Sequence, residues 1–420
     1  MSGKGIVTSE LTGAQEELLK ILESFMHGDK YHFPEGFTQV EELYQLATIH
    51  NMVAAVYEQI RGEDLLKCPD YAAFVSAFKS STIRDVMMQV QRTDGFLRVY
   101  QQICAQGVRP LVVKGIICRN LYKKSDYRIS GDEDILIKKE DFAVCDSILL
   151  KEGFQREEID EKNLPQEIPY MNLKNGVYIE MHFDLFAEES GAYGHLNKEF
   201  ADVFDTCICE EIQGKTVWTL NPTLHLFYLI CHSLKHFLHG GFGVRQVCDM
   251  VMMAEHYGES IDWSYIFRRL KELRMETFWD GLAEIGSEYL GFSYEKSHYP
   301  ADKQKAHVDC RDLLLDLLNS GIYGDSSMER KHSSNITLAA AESGKKDTMA
   351  SMRASMFPGK EYMKKGYPWL ERYPWLLPAA WVMRIVKYLG AAKKKGSSEP
   401  SGVEIGMSRV ELLREYDIID

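Results

Sequence analysis

Asp132 and Asp134 stand one residue apart and run directly into Ile135-Leu136-Ile137. An acidic pair leading into a short apolar run predicts the end of a buried strand. Successive side chains alternate faces along a strand, so both carboxylates point to one side, about 6–7 Å apart. Carboxylates held at that spacing repel each other, and a divalent cation relieves the repulsion; Mg²⁺ is typically held by one or two carboxylates together with substrate phosphates. Glu133 faces the other way and is left out of the metal set. The plain alternative is a solvated strand end, because Asp-x-Asp pairs are common.

The flanking residues add to this. Leu111-Val112-Val113, Lys114-Gly115 and the run from Ile116 to Tyr122 read as strand, tight turn and helix. Backbone N–H groups at such a helix N-terminus favour an anion, and Lys114 adds a positive charge. Taken alone, the dipeptide also fits a solvent-facing turn lysine. Further on, Tyr170 to Leu185 reads as a hairpin turning at Asn175-Gly176, both of which accept positive φ. On its second strand Val177, Ile179, Met181, Phe183 and Leu185 form one face, which must be buried. Tyr178, Glu180, His182 and Asp184 form the other, left for water or for chemistry. His182 either contacts a ligand and orients Glu180, or is a half-exposed structural histidine.

Strand, Lys-Gly turn, helix, Asp-x-Asp strand, helix and a hairpin bearing a third carboxylate together resemble the core of the DNA polymerase beta-like nucleotidyltransferase superfamily. More closely, the chain resembles a bacterial family of uncharacterised nucleotidyltransferases. The likeness rests on Val113-Lys114-Gly115, Leu121-Tyr122, Arg128, Gly131 to Ile137, and Ile179-Glu180-Met181-His182. It extends to Ala47 through Val53, to His232 and His236 with Arg245 and Asp249, and to Met356 through Tyr388. The wider superfamily has Gly-Ser or Gly-Gly at the turn where this chain has Lys114-Gly115. The fold implied is α+β, a small mixed-sheet core embedded in a mostly helical chain.

The resemblance implies transfer of a nucleoside monophosphate from an NTP to a hydroxyl or phosphate acceptor on a small molecule, a protein or an RNA end, with Mg²⁺ or Mn²⁺. Asp132, Asp134 and Glu180 are then the catalytic metal ligands, stabilising the attacking and leaving oxygens through the cations. Lys114, Gly115 and Arg128 hold phosphates, as positive groups do in phosphoryl transfer. His182, His232, His236 and Arg245 are expected to grip nucleotide or acceptor. His232, His236 and His239 share one helix face, but no attendant glutamate marks a zinc motif, and a structural polar network is the alternative. Two rivals remain: a non-catalytic nucleotide-binding or interaction protein, and a toxin-like enzyme modifying tRNA or protein. Three clustered acids argue against the first.

Composition fits a globular enzyme: 420 residues, 45% hydrophobic and 26% charged. A net charge of −13 offers no global attraction for nucleic acid, so a long nucleic acid is a poor substrate. The nine cysteines include no Cys-x-x-Cys pair, which suits reduced thiols and a cytoplasmic location. No apolar stretch reaches the ~18 residues that span a bilayer.

Five regions follow along the chain. Residues 1–107 are helical, with a first helix over 9–28 capped by Ser9 or Thr12 and closed by Gly28, and a long helical region over 71–106. Residues 108–190 form the α/β core, including a helix over 140–152 and a charged loop from Glu157 to Glu167. Residues 191–345 are a helical substrate-binding region in which Asn221-Pro222 starts a helix and 324–348 are partly loop. Residues 346–392 carry two Tyr-Pro-Trp-Leu copies, at 367–370 and 373–376. Over 367–388 a weak membrane or partner contact competes with simple packing against the N-terminal helices, the stronger reading. Residues 393–420 are a flexible linker and a short terminal helix.

Overall fold

The structure, a computed structural model, describes residues 10–160, 163–304, 308–322, 328–343, 359–383 and 402–419. Its first helix, Gly13–His27, begins at Thr12, whose hydroxyl accepts from the Gln15 N–H while the Gln15 side chain accepts from the Thr12 N–H. It ends at Gly28 in the left-handed conformation. Leu18, Leu19, Ile21, Leu22 and Phe25 are buried, as their spacing predicts. The long helix spans Ala72–Cys104 and the next one Phe142–Lys151, closed by Gly153 at φ 85°.

Six strands form one mixed sheet: β1 (Leu111–Val112), β2 (Glu133–Leu136), β3 (Glu167–Met171), β4 (Tyr178–His182), β5 (Ile208–Ile212) and β6 (Lys215–Thr219), in the order β3-β4-β2-β1-β6-β5. β2 and β4 are parallel neighbours, as are β1 and β6; the other pairs are antiparallel. The architecture is α+β, a small sheet within a mostly helical chain. Val177, Ile179 and Met181 on one face of β4 are at most 1% exposed, each contributing about 1.5–3 kcal/mol by burial. A one-residue slip would turn all three to the solvent side, so this face fixes the register and with it the direction of Glu180 and His182.

Two elements differ from the sequence reading, and a third lies partly outside the described residues. The β3–β4 turn is wider than an Asn-Gly pair: Asn172 N–H donates to Val177 O across it, and the Asn172 side chain accepts from Lys174 N–H. The β5–β6 hairpin sits inside the region expected to be helical. Its turn at Gln213-Gly214 has φ 50° and 71°, a conformation that the residue type announces only at the glycine. Within 324–348, where the sequence reads partly as loop, the described residues form a helix, Met328–Ser343, which packs on the terminal helix Gly402–Glu415. A low-hydrophobicity surface composition hides that helix because its partner lies far along the chain.

Helix Pro222–His239 meets the sheet at the ends of β1 and β6. Asn221 caps it, accepting from Leu224 N–H at 3.0 Å, with Pro222 at the first position. His225 pins its start, 2.7 Å from Val113 O and 3.2 Å from Thr219 Oγ1. Its far end is held by the terminal helix: buried Arg409 donates to Phe237 O and lies 5.1 Å over the Phe237 ring. The two Tyr-Pro-Trp-Leu copies form short turns, with Met363, Leu370 and Ala380 making a small cluster apart from the main core. Among the described residues of this segment, these side chains pack on one another. The expected linker over 393–401 lies outside the described residues. Among those described, no helix is long and apolar enough to cross a membrane.

Candidate active site

The register of β2 with β4 builds the site. Asp134 lies directly beside Glu180 across the parallel pair, and His182 follows Glu180 on the same face. His182 Nε2 is 3.1 Å from Asp134 Oδ1 and 3.7 Å from Glu180 Oε2. One ligand atom from each of the three lies within 4.8 Å of the others. Of the three carboxylates expected to converge, two do so, and an imidazole takes the third position. Asp132 precedes β2 and stands outside this group while lining the same cleft.

Lys114, in the turn after β1, reaches across the sheet end. Its Nζ is 3.0 Å from Asp134 Oδ2 and 3.1 Å from His232 Nε2. His236 continues the chain, its Nε2 3.1 Å from that of His232. Burial, and then the Lys114 charge, push both imidazoles far below their ordinary pKa, so both are neutral. Asp134 is 2% exposed. Burial alone would raise its pKa, but Lys114 and His182 outweigh burial and hold it below the usual carboxylate range. Glu180 moves oppositely: burial, followed by the charges of Asp134 and Asp132, raises it to about 7. Two adjacent carboxylates thus differ in charge state for a stated reason. One has the lysine, the other has the repulsion.

A cleft of about 220 Å³ opens over these groups, lined also by Tyr228, His232, Lys235 and His236 of helix Pro222–His239. Tyr228 and Lys235 were not among the expected site residues. The signal for them is the spacing of Tyr228, His232 and Lys235-His236, about one helical turn at each step. A smaller cavity of about 30 Å³ shares Lys114, Asp132 and His232 with the cleft and is walled by Arg128, Ser130, Arg245 and Asp249. Arg128 is occupied by Asp249, its Nε 3.0 Å from Oδ1 and its Nη2 on Oδ2, while Tyr122 donates to the same Oδ1 at 2.9 Å. Arg245 Nη1 donates to Ile129 O at 2.7 Å. These contacts tie the approach to β2 onto helix Val244–Tyr257.

The Lys114-Gly115 turn is not an open anion cradle. Glu133, the middle residue of the acidic triplet, sends its Oε2 to the Ile116 N–H at 2.7 Å and its Oε1 to Arg119 Nη1 at 2.7 Å. The helix N-terminus expected to meet phosphate is thus capped by the protein's own carboxylate. Gly115 has φ 49°, and a Cβ there would fall 2.0 Å from Glu133 Oε2. Its lack of a side chain is explained by Glu133. Sequence alone misses this role, because it depends on how helix Ile116–Asn120 packs against the hidden face of β2.

The donor set suits a divalent cation. Two ligands at right angles around an ion with bonds of about 2.1 Å lie about 3 Å apart, close to the Asp134–His182 separation. Asp134 Oδ2 is buried, with the Lys114 ammonium 3.0 Å away.

Residues 38–291 match the model of a family of uncharacterised nucleotidyltransferases. The chain belongs to that family. Every strand of the sheet, the Lys114 turn, the helix bearing His232 and His236, and Arg245 lie within the matched span of this nucleotidyltransferase family. The segment from Met356 to Tyr388 lies beyond it. Comparison with curated proteins and with solved structures finds no match.

Proposed function

We propose that this protein is a metal-dependent nucleotidyltransferase that moves an NMP from an NTP to a hydroxyl or phosphate acceptor. The observation that carries the reading is the Asp134–Glu180 register, which sets two carboxylates and His182 at the floor of a cleft in a chain of a nucleotidyltransferase family. Asp134 and Glu180 would hold the cation, with Asp132 at the cleft edge as a further ligand once nucleotide enters. A bound Mg²⁺ or Mn²⁺ supplies Lewis-acid stabilisation of the phosphoryl oxygens and acidifies the attacking hydroxyl.

The chain's own groups divide the remaining work. Lys114 is the cation nearest the carboxylates, and exchanging its contact with Asp134 for one with a triphosphate oxygen keeps the cleft charge balanced. Neutral His232 and His236 offer that lysine an acceptor without adding positive charge. Glu180, raised to about 7 in the metal-free cleft, would give up its proton as the cation binds. Arg128 and Arg245 wall the inner cavity and shape the base or phosphate end of the nucleotide pocket, while Gly115 permits the turn that presents Lys114. A purely nucleotide-binding role leaves two facing carboxylates without a task.

The test is incubation with each α-³²P-labelled NTP, Mg²⁺ or Mn²⁺, and a fractionated cell extract. Label should pass to an acceptor in the wild type and vanish in Asp134→Asn and Glu180→Gln. Transfer that survives both substitutions refutes the assignment.

A further inference from the structure

His182 distinguishes this cleft from an all-oxygen site. Its ring is 6% exposed and sits on β4, where the strand pairs with β2 on one side and β3 on the other, at Leu136 and Glu167 respectively. Its backbone carbonyl accepts from Ile137 N–H at 3.0 Å, so the residue has no freedom to leave the sheet. Nε2 is aimed between the facing oxygens of Asp134 and Glu180, at 3.1 and 3.7 Å. On the opposite edge of the ring, Nδ1 makes no hydrogen bond, with Glu167 Oε2 3.6 Å away. A buried imidazole with one nitrogen pointed at a cluster of acids, held in place by the sheet on both sides and with a carboxylate near its other nitrogen, is a ring positioned to meet a cation.

We infer that His182 Nε2 is itself a ligand of the cation, and that the site therefore selects a borderline first-row divalent ion, of the Mn²⁺ to Zn²⁺ series, over Mg²⁺. The inference rests on the reading of Asp134 and Glu180 as a cation site and adds which ion they take. Mg²⁺ prefers oxygen ligands and retains its waters, whereas imidazole favours the transition metals. Mn²⁺ is the weakest binder of its series to a mixed nitrogen and oxygen site. A preference for Mn²⁺ over Mg²⁺ is therefore the least demanding sign of the whole class.

Mn²⁺ is the probe. The free aqua ion gives a strong electron paramagnetic resonance signal that is lost on binding, so titrating the full chain gives its affinity, and competition gives that of Mg²⁺. Wild type should bind Mn²⁺ at least about tenfold more tightly than Mg²⁺, the range by which metal-site partners alter affinity. Bound Mn²⁺ should show ¹⁴N modulation in electron spin-echo experiments. His182→Gln, with its fold checked by circular dichroism, should lose the modulation; His182→Asp, giving three carboxylates, should lose the preference and keep Mg²⁺ binding. Comparable affinities without nitrogen modulation would overturn the inference and leave a metal-dependent transferase standing. So would modulation that persists in folded His182→Gln, because it would come from another histidine. Binding of neither ion would overturn the inference and the cation site together.

Discussion

Glu133 stands between the two aspartates, and its replacement should unfold the site rather than empty it. Its carboxylate is 5% exposed and its partner Arg119 is 1% exposed. One oxygen meets Arg119 Nη1 at 2.7 Å and the other the Ile116 N–H at 2.7 Å. Arg119 also reaches Ser130 and, at 3.2 Å, Thr93 Oγ1, so the pair joins the Ala72–Cys104 helix, the Lys114 turn and β2. At 2.7 Å the gross attraction is about 6 kcal/mol for an effective dielectric near 20, and desolvation of the two ions offsets much of it. Burial pushes the Glu133 carboxyl up even against Arg119, which is that cost made visible.

Deleting one partner leaves the other charged, buried and alone, which costs about 3–5 kcal/mol. Glu133→Gln keeps an acceptor for the Ile116 N–H and should fall near about 3 kcal/mol; Glu133→Ala also orphans that N–H and should lose a further ~1–3 kcal/mol. Against a total stability of about 5–15 kcal/mol the first variant should fold and the second should be marginal. The double replacement Arg119→Met with Glu133→Gln removes the uncompensated cation and should recover much of the loss. Urea denaturation followed by circular dichroism measures all three, and Mn²⁺ titration of the folded Glu133→Gln measures the cleft. The reasoning is refuted if Glu133→Gln stays within about 1 kcal/mol of wild type, since Glu133 is then no strut, and all the more if that variant also loses the ion, since Glu133 is then a ligand.

Gly115→Ala should destabilise by about 1–3 kcal/mol, because the residue has φ 49° and a methyl group would sit 2.0 Å from Glu133 Oε2; a thermal midpoint equal to wild type would contradict this. Divalent affinity should depend on pH through Glu180, whose metal-free pKa is about 7. A cation needs the carboxylate, so affinity should rise with pH up to about 7 and level off above it, with protons released on binding below that point. Calorimetry in buffers of different ionisation enthalpy reads the release, and a flat affinity from pH 6 to 8 would remove Glu180 from the ligand set.

What the sequence disclosed, and what it hid, divides along one physical line. Features set by a single segment were legible. The period of two along 177–185 assigned Glu180 and His182 to the open face, the Asp-x-Asp spacing separated Glu133 from its neighbours, and Thr12, Gly28 and Asn221 marked helix ends. Features set by the meeting of distant segments were not. Nothing in Arg128 announces that Asp249 holds it, and nothing in Lys114-Gly115 announces that the anion in its turn is Glu133. The same holds within the cleft. The resemblance assigned Lys114 to phosphate, yet in the structure its ammonium lies against Asp134 and His232. These two placements follow from one constraint. A buried carboxylate prepared for a divalent cation is unstable without positive charge nearby, and a lysine on a turn can supply that charge and later surrender it, where an arginine locked like Arg128 against Asp249 could not. In the proposed reaction, the residue that balances the cleft before an ion arrives would be the one to meet the triphosphate after it.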